Sequence, residues 1–456
     1  MQKNMEKQKE KYGLFTAITM IVGICIGSGI FFKSDNVLSF TGGNVGLGVL
    51  LFILGAIAVI FGGLTIAFLA AKTNEPGGLV TYAEKFVGKP ASCAAGWFLT
   101  FIYMPSLSIV VAWVVGIYTC VLFPQLGNTL ETQLLIGYAF LIICFIYNTL
   151  SPKFGGFFQD ATTIIKLIPL IVLAVCGIIF GDANQGLENA NTAAVAAGTG
   201  TAWLAGIAPI AFSYDGWIVS TSICHEVRNS KRNMPIALIA GPLFVLVMYL
   251  LYFLGITHYL GPQQVMALGD KAPTTVAASL FSPIVANILT VFVIISVMGT
   301  VNGVVLGLLR MPYSLSLRQG MMPFSKSLSK LNKKVDMPIN SALFAFVVTA
   351  IWGFLHYWTQ KKGLLGSGDV TDISIALSYV LYVVLYVKVI MMFFKKEADF
   401  FRGLVCPIFA TLGSAVILYG NLSNPNFKYY LLICIAVLAL AVIYYLSNYK
   451  KASQVK

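Results

Sequence analysis

Charged residues are scarce in this sequence, at 10% of its 456 residues against 58% hydrophobic residues, and the mean hydropathy is +0.84. Soluble domains usually carry about 25% charged residues. The scarcity excludes an ordinary soluble domain. Uncharged apolar windows of about 18 residues or more are typical of helices that cross a membrane. The sequence therefore predicts an all-α polytopic membrane protein embedded in a lipid bilayer.

The sequence lacks the cysteine and histidine spacings that are typical of metal sites and catalytic sites. The eight cysteines show no C-x-x-C or zinc spacing, so we predict neither a disulfide framework nor a metal site. The three histidines, His225, His258 and His356, are dispersed, and there is no H-E-x-x-H motif or nucleophile elbow. A nucleotide-binding P-loop is also missing. We therefore expect that the chain is not an enzyme, that it binds no cofactor and that it does not carry out primary active transport.

The apolar windows predict twelve membrane spans, and the start of the chain has no cleavable signal pattern. The first apolar segment is therefore expected to be the first span. Because twelve is even, both termini lie on one side of the membrane. The predicted spans are 12–33, 44–71, 93–122, 132–150, 156–180, 201–224, 235–259, 283–309, 338–357, 371–394, 402–421 and 427–447.

The positions of the cationic residues predict the orientation. Of 30 Lys and Arg residues, 24 fall on the side of the termini, five on the other side and one, Lys166, inside the fifth span. Cytoplasmic loops carry the excess of Lys and Arg, so both termini are predicted to be cytoplasmic in a cell membrane. The formal net charge of +13 is then a topology signal, and no nucleic-acid partner is expected.

Two predicted spans contain interruptions near the middle of the membrane. The first, GICIGSGIFF at 23–32, places glycines where each costs about 1 kcal/mol in a helix interior. The second, IAFSYDGWIVS at 210–220, places a turn-like Ser-Tyr-Asp-Gly and a carboxylate at a similar depth. Transporters often pair two discontinuous helices of inverted repeats around a binding site. Packing by the Gly23 and Gly27 pair is the alternative, but it does not explain Asp215.

An unwound helix exposes backbone groups that suit a zwitterion. The N-terminal end of the second half-helix offers amide donors and positive partial charge, which favour a carboxylate. The C-terminal end of the first half-helix offers carbonyl groups, which favour an ammonium group. The interruptions therefore predict a site that binds an amino acid through the backbone.

These segments resemble the amino acid–polyamine–organocation superfamily. The likeness lies in GICIGSGIFF, in NEPGGLVTYAEKFVG, and in AFSYDGW followed by HEVRNSKRNMPIAL. It is strongest to the L-type branch and its bacterial alanine–serine–cysteine exchangers. The resemblance implies a LeuT-type five-plus-five inverted repeat with discontinuous helices 1 and 6 and two extra helices. The single transport domain, 1–456, would then comprise a tail at 1–11, repeats at 12–180 and 201–394, extra helices at 402–447, and a tail at 448–456.

The resemblance also implies roles for particular residues. The substrate carboxylate would be held by backbone amides around Gly27, Ser28 and Gly29. The amino group would be held by carbonyl groups near Ile24 and Cys25 and, in the second break, by those at Phe212 and Asp215. In that break Phe212 would act as an aromatic gate, with the remaining substrate-binding positions at Ser213 and Asp215.

Three features remain to be interpreted. Asp215 stands where several family members have a small residue, and it either forms a local hydrogen bond or admits a cationic side chain. Lys166 either replaces a sodium ion beside span-one carbonyls or pairs for structure, with Asp160 or with backbone carbonyl groups. His225 and Glu226, at the end of span six, are expected in a network at the cytoplasmic side.

The resemblance implies sodium-independent transport of small neutral L-amino acids by alternating access, as an exchanger. A proton-coupled symporter is the alternative, and a channel or receptor on the same fold is a further one. Animal relatives carry a cysteine after span three that bonds a heavy subunit, but LFPQLGNTLE has none and Cys120 lies earlier. No disulfide-linked heavy subunit is therefore expected.

Overall fold

The computed structural model describes residues 10–73, 75–181, 202–365, 369–422 and 426–454, and these residues are almost entirely helical. No β-strand occurs among them; two isolated bridges join single residues. The predicted loop at 181–200 lies, except for Gly181, outside the described residues. The long helices are α4 (Val45–Ala70), α7 (Met104–Leu122), α8 (Leu130–Leu150), α9 (Pro152–Phe180), α11 (Ser230–Leu260), α14 (Pro283–Leu308), α17 (Ile339–Lys361), α18 (Asp372–Phe394), α19 (Cys406–Asn421) and α20 (Phe427–Gln454).

Shorter helices connect or extend these. The α-helical ones are α1 (Leu14–Cys25), α2 (Ser28–Phe32), α3 (Ser34–Phe40), α5 (Leu79–Tyr82), α6 (Lys89–Phe98), α10 (Ile207–Tyr214), α12 (Pro262–Leu268), α13 (Ala272–Leu280), α15 (Met311–Ser316) and α16 (Ser325–Leu328). Wider π turns cover Ala83–Val87, Leu99–Tyr103 and Phe401–Val405. Tighter 3-10 segments cover Pro124–Leu126, Ala202–Gly206, Trp217–Glu226 and Gly269–Lys271.

Ten helices in the described part of the chain are long and apolar enough to cross a membrane. They correspond to ten of the twelve predicted spans, so a polytopic helical membrane protein is confirmed in outline. The other two predicted spans, 12–33 and 201–224, are each divided into shorter helical pieces. The count of twelve crossings stays a prediction, while the two predicted interruptions are present in the structure.

Several helices begin earlier than their apolar windows suggest. α9 starts at Pro152 and α11 at Ser230, where the predicted spans start at 156 and 235. Proline is tolerated in the first turn of a helix because the amide hydrogen it lacks would have no partner there. Helical structure therefore runs into polar sequence that hydropathy assigns to the loops.

The third predicted span is continuous but contains a π turn just before Pro105. Pro105 cannot donate to the carbonyl of Phe101, four residues earlier, so that acceptor is left over. The Trp352 indole Nε1 of α17 donates to Phe101 O at 2.6 Å. A neighbouring helix thus satisfies the freed carbonyl, as membrane-embedded structure requires. The turn carries Tyr103, which contacts the site described below.

The two interrupted segments lie at the centre of the bundle. α1 packs against α9, α11 and α14, and α10 packs against α4 and α19. Eight of the residues of α1 are buried, from Ala17 to Cys25. Surrounding helices therefore shield the unwound backbone from lipid, the condition under which irregular structure is tolerated at membrane depth.

Candidate functional site

The first interruption separates α1 from α2 at Ile26 and Gly27. Ile26 leaves the helical conformation with φ −77° and ψ 86°, and Gly27 follows with φ −111° and ψ −144°. The Ile26 amide still donates to Val22 O at 2.8 Å, and the Gly27 amide donates to Cys25 O at 2.9 Å. The first amides of α2 have no acceptor within their own helix, as at any helix start. The break therefore exposes carbonyl and amide groups at one place.

The second interruption follows α10 at Asp215 and Gly216. Asp215 is extended, with φ −67° and ψ 159°, and Gly216 adopts the left-handed conformation with φ 89°. Glycine suits this position because it has no side chain to clash there. The chain then continues as the 3-10 segment Trp217–Glu226. The Asp-Gly pair of the sequence is thus the turn that ends the helix.

The two interruptions meet around one small cavity of about 20 Å³. A single water needs roughly 10–15 Å³ on this scale, so the cavity is too small for an amino acid. The structure is closed around the site. Seven predicted residues line the cavity together with three others; the lining is Ile24, Cys25, Gly27, Gly29, Leu107, Val111, Phe212, Ser213, Asp215 and Thr300. The other two predicted residues, Ser28 and Lys166, do not appear in this lining. The Ser28 backbone starts α2, and its side chain lies outside the described part of the structure. Lys166 lies behind the first break.

Tyr249 of α11 connects the two interruptions. Its hydroxyl lies 2.7 Å from Cys25 O and 2.6 Å from Ser213 O. A tyrosine hydroxyl has only one proton, so it donates to one of these carbonyls at a time. Tyr249 therefore fixes the spacing of these two carbonyl groups, of which Cys25 O belongs to the predicted ammonium end of the site.

Asp215 is buried and accepts a hydrogen bond from another helix. The Tyr103 hydroxyl donates to Asp215 Oδ2 at 2.9 Å. This is the local hydrogen bond that was one of the two alternatives for Asp215. Since Asp215 also lines the cavity, its carboxylate remains next to the space that a substrate side chain would enter.

Lys166 is fully buried, and its ammonium group faces the first interruption. Lys166 Nζ donates to Gly23 O at 2.7 Å and to Ile26 O at 2.5 Å, and it lies 3.5 Å from Thr300 Oγ1. Thr300 Oγ1 also donates to Gly23 O at 3.1 Å. The Lys166 side chain therefore holds the end of α1 to α9 and α14 through backbone carbonyl groups.

Asp160, the alternative partner for Lys166, has other contacts. The Thr16 hydroxyl donates to Asp160 Oδ2 at 3.0 Å, and the Thr19 hydroxyl donates to Asp160 Oδ1. Gly23 belongs to the same interface, since a Cβ there would lie 2.2 Å from Gln159 Nε2. Gly23 therefore serves helix packing, which was the alternative for the Gly23 and Gly27 pair, whereas Gly27 lies in the break itself.

A charged cluster joins the residues before α1 to the end of the second broken segment. We call Lys11, Tyr12, Glu226, Arg310 and Asp336 the N-terminal clamp. Lys11 Nζ lies 3.2 Å from Glu226 Oε2 and 3.0 Å from Asp336 Oδ2. Arg310 contacts both carboxylate oxygens of Glu226, with its Nη2 at 3.1 Å from Oε2. The network expected for Glu226 is therefore present, and His225 Nε2 lies 3.6 Å from Glu226 Oε1.

Backbone pairing reinforces the clamp. The amides of Lys11 and Tyr12 donate to Glu226 O at 2.7 and 3.0 Å, and the Arg228 amide donates to Tyr12 O at 2.9 Å. The Tyr12 hydroxyl donates to Pro152 O at 2.9 Å. Burial alone would raise the pKa of the Glu226 carboxyl, but the Arg310 guanidinium beside it lowers that pKa to about 2. Glu226 is therefore ionised, and the clamp joins the two broken segments at this end.

Sequence reasoning missed several residues of the site. Tyr103, Tyr249 and Thr300 contact the interruptions, and Leu107 and Val111 line the cavity. All five belong to apolar segments in which such residues are common. Their role depends on which helices become neighbours, and no local pattern carries that information.

The sequence matches the amino acid permease family over residues 12–454. The chain belongs to this family. It is 30% identical to a serine/threonine exchanger of Bacillus subtilis over 98% of both chains. It is 25% identical to the mouse b(0,+)-type amino acid transporter 1, over 97% of this chain and 88% of that protein. It is 24% identical to the human cystine/glutamate transporter, over 88% and 77%.

These similarities confirm the resemblance to the amino acid–polyamine–organocation superfamily and its L-type branch. The relatives are named as transporters and exchangers rather than enzymes. This confirms the expectation that the chain is a transporter and not an enzyme. The permease is a multi-pass membrane transporter, and amino acids are the substrates of its relatives by name.

Proposed function

We propose that this permease exchanges small neutral L-amino acids of the alanine, serine and cysteine type across the cell membrane, independently of sodium. The observation that carries the proposal is the ammonium group of Lys166 on the carbonyl groups of Gly23 and Ile26. A side chain with a permanent place there supplies the positive charge that a bound cation would bring. Exchange then needs no ion to complete the first broken segment.

Substrate binding follows from the two interruptions. The amides of Gly27, Ser28 and Gly29 would receive the carboxylate, because they start a helix and lack acceptors within it. The carbonyl groups at Ile24, Cys25, Phe212 and Asp215 would receive the ammonium group. Such a site recognises what all amino acids share, while Leu107, Val111 and Asp215 limit the side chain.

The proposal of alternating access rests on how the two broken segments meet at the clamp and at the cavity. The N-terminal clamp joins the segments at one end, and the cavity at the interruptions is too small for substrate. Transport therefore requires the clamp to open and the segments to move apart. We infer that the clamp faces the cytoplasm, because the predicted spans assign 24 of the 30 Lys and Arg residues to the side of the termini.

The proposed architecture is a single transport domain of twelve crossings. It consists of inverted repeats at 12–180 and 201–394 and two further helices at 402–447, with both tails in the cytoplasm. The interruptions support this proposal, because they fall in the first and sixth predicted spans, five spans apart. No disulfide-linked subunit is proposed, and Cys120 supports this since it is buried within α7.

Proton-coupled symport is the second candidate, because a lysine buried in an apolar site can release its proton.

An uptake assay in proteoliposomes with a panel of competitors tests the substrate class. Unlabelled L-alanine and L-serine should compete strongly, and D-alanine, leucine and arginine weakly. Equal competition by leucine or arginine would contradict the proposed substrate class, and non-saturable flux would indicate a channel.

A further inference from the structure

Two apolar grooves flank the first turns of α17. The α8 groove lies between α17 and α8 and has a volume of about 320 Å³. The α16 groove lies between α17 and α16 and has a volume of about 360 Å³. Asn340 Nδ2 of α17 donates to Ser327 O at 3.2 Å and to Ser327 Oγ at 2.9 Å, which holds α16 in place. Ligand clefts in proteins usually measure about 300–1,000 Å³, so each groove is large enough to hold a ligand chain.

Packed aromatic rings support both grooves. In the α8 groove, the rings of Phe145 and Phe346 meet edge-to-face with their centroids 5.4 Å apart. Phe344 lines the α16 groove and packs edge-to-face on Phe101 at 5.9 Å between centroids. Large rings that pack on one another keep their positions. The grooves are therefore part of the folded structure.

Leu343 projects between the grooves. It belongs to the lining of both, and its side chain is 61% exposed on a helix that is long and apolar enough to cross a membrane. A partner helix, about 10–12 Å in diameter, would rest on this leucine and leave the grooves on either side unfilled. Two narrow acyl chains fit on either side of it. The shape therefore favours a lipid with two chains over a helix of another protein.

The length of the α8 groove corresponds to one leaflet of a bilayer. Its lining on α8 runs from Ile142 to Leu150, and these eight positions span about 12 Å at a rise of 1.5 Å per residue. One leaflet contributes about 15 Å, half of a hydrocarbon core of about 30 Å. Leu150 is the last residue of α8, and Ile339 is the first residue of α17. The groove therefore reaches the membrane surface at the end that the proposed orientation places in the cytoplasm.

The protein surface at this end of α17 is basic. Lys326 lies in α16, Lys330 follows that helix, and both side chains are exposed. Asp336 is the only acidic residue between positions 324 and 347. Its carboxylate is paired with Lys11 at 3.0 Å. Basic surfaces beside membrane-spanning helices bind the headgroups of acidic lipids, so the charge complements an anionic headgroup.

We propose that the two grooves bind one anionic phospholipid of the cytoplasmic leaflet, with an acyl chain on each side of Leu343 and the phosphate group at Lys326 and Lys330. The choice of leaflet rests on the proposed orientation. Binding itself depends on neither the orientation nor the proposed exchange function, so it is tested separately from both.

Native mass spectrometry of the purified full-length protein tests the headgroup assignment. Phosphatidylglycerol is the anionic probe, and phosphatidylcholine with the same chains is the zwitterionic one. One phosphatidylglycerol should bind per chain, roughly tenfold more tightly than phosphatidylcholine. Lys326→Gln combined with Lys330→Gln should abolish this preference, since each lysine near the surface contributes about fivefold. Lys231→Gln combined with Arg232→Gln, which changes two exposed cationic residues of α11, should preserve it.

Leu343→Trp tests the grooves themselves. The larger side chain should fill the entrance of a groove and weaken the binding of both lipids by roughly tenfold. Leu135→Trp is the matched control, because Leu135 is an exposed leucine of α8 outside both grooves, and it should bind lipid like the wild-type protein. Equal melting temperatures without added lipid show that the variants are folded.

Three results would overturn the proposal. The first is equal affinity of the wild-type protein for the two lipids, and the second is unchanged lipid binding by Leu343→Trp. The third is a change from dimer to monomer in Leu343→Trp with lipid binding retained, which would assign this surface to a second copy of the chain.

Discussion

At the scale of single residues, Gly29 lies where the first interruption packs against the second. A Cβ there would lie 2.9 Å from Ser213 Oγ and 3.3 Å from Ser213 Cα. Gly29→Val should weaken substrate binding by about tenfold or more, because it overfills the site and separates the two breaks. Binding of labelled alanine to purified protein measures the effect.

Gly13→Ala is the control for this change. A Cβ at Gly13 meets nothing within 4 Å, so binding should be unaffected. Normal affinity in Gly29→Val would assign the Gly-Ser-Gly segment to packing and remove it from the substrate site.

Lys166 is the residue on which sodium independence depends. Lys166→Ala would remove the ammonium donor from Gly23 O and Ile26 O and leave them only the hydroxyls of Thr300 and Ser296. Losing a hydrogen bond to a charged group costs about 1.5–3 kcal/mol. The exchange rate should fall sharply while the protein still inserts. Lys153→Ala is the control, because Lys153 is exposed near the start of the same helix. Normal exchange by Lys166→Ala would refute the role given to this lysine.

At the scale of elements, the N-terminal clamp holds both broken segments at one end. Lys11→Ala removes an ammonium group that contacts the carboxylates of Glu226 and Asp336, while Arg310 still pairs with Glu226. The closed state should be destabilised, so that Cys25, now only 4% exposed, reacts with a membrane-impermeant thiol reagent from the cytoplasmic side.

The exposed Lys334 provides the control on the same surface. Lys334→Ala should leave the labelling of Cys25 at the wild-type level. A Cys25→Ala background identifies the signal from the other seven cysteines. Equal labelling of the Lys11→Ala and wild-type proteins would mean that the clamp does not control access.

Elements also show how far the sequence can predict the structure. Both interruptions were predicted, because glycine and Asp-Gly are local signals of a break and lie in otherwise apolar windows. Tyr103 could not be predicted as the partner of Asp215, since it lies 112 positions away in the chain. The contacts of Lys166 followed from the resemblance, and its charge alone only required an interior position. Helix ends were misplaced where Pro152 and Ser230 begin helices in polar sequence.

At the scale of the whole molecule, the distribution of charge predicts the orientation. Single cysteines introduced as Gln8→Cys and Ser453→Cys should react only with reagent on the cytoplasmic side, because 24 of the 30 cationic residues are assigned to it. Labelling intact cells and inside-out vesicles provides the measurement. External reaction at either position would overturn the proposed topology.

The central claim is that a lysine in place of a cation makes this permease a sodium-independent exchanger. Counterflow in proteoliposomes tests it most directly, with labelled alanine outside and unlabelled alanine or serine inside. Internal substrate should strongly stimulate uptake, and replacing sodium by choline should change neither the rate nor the extent. Accumulation driven by a sodium gradient, without internal substrate, would contradict the account.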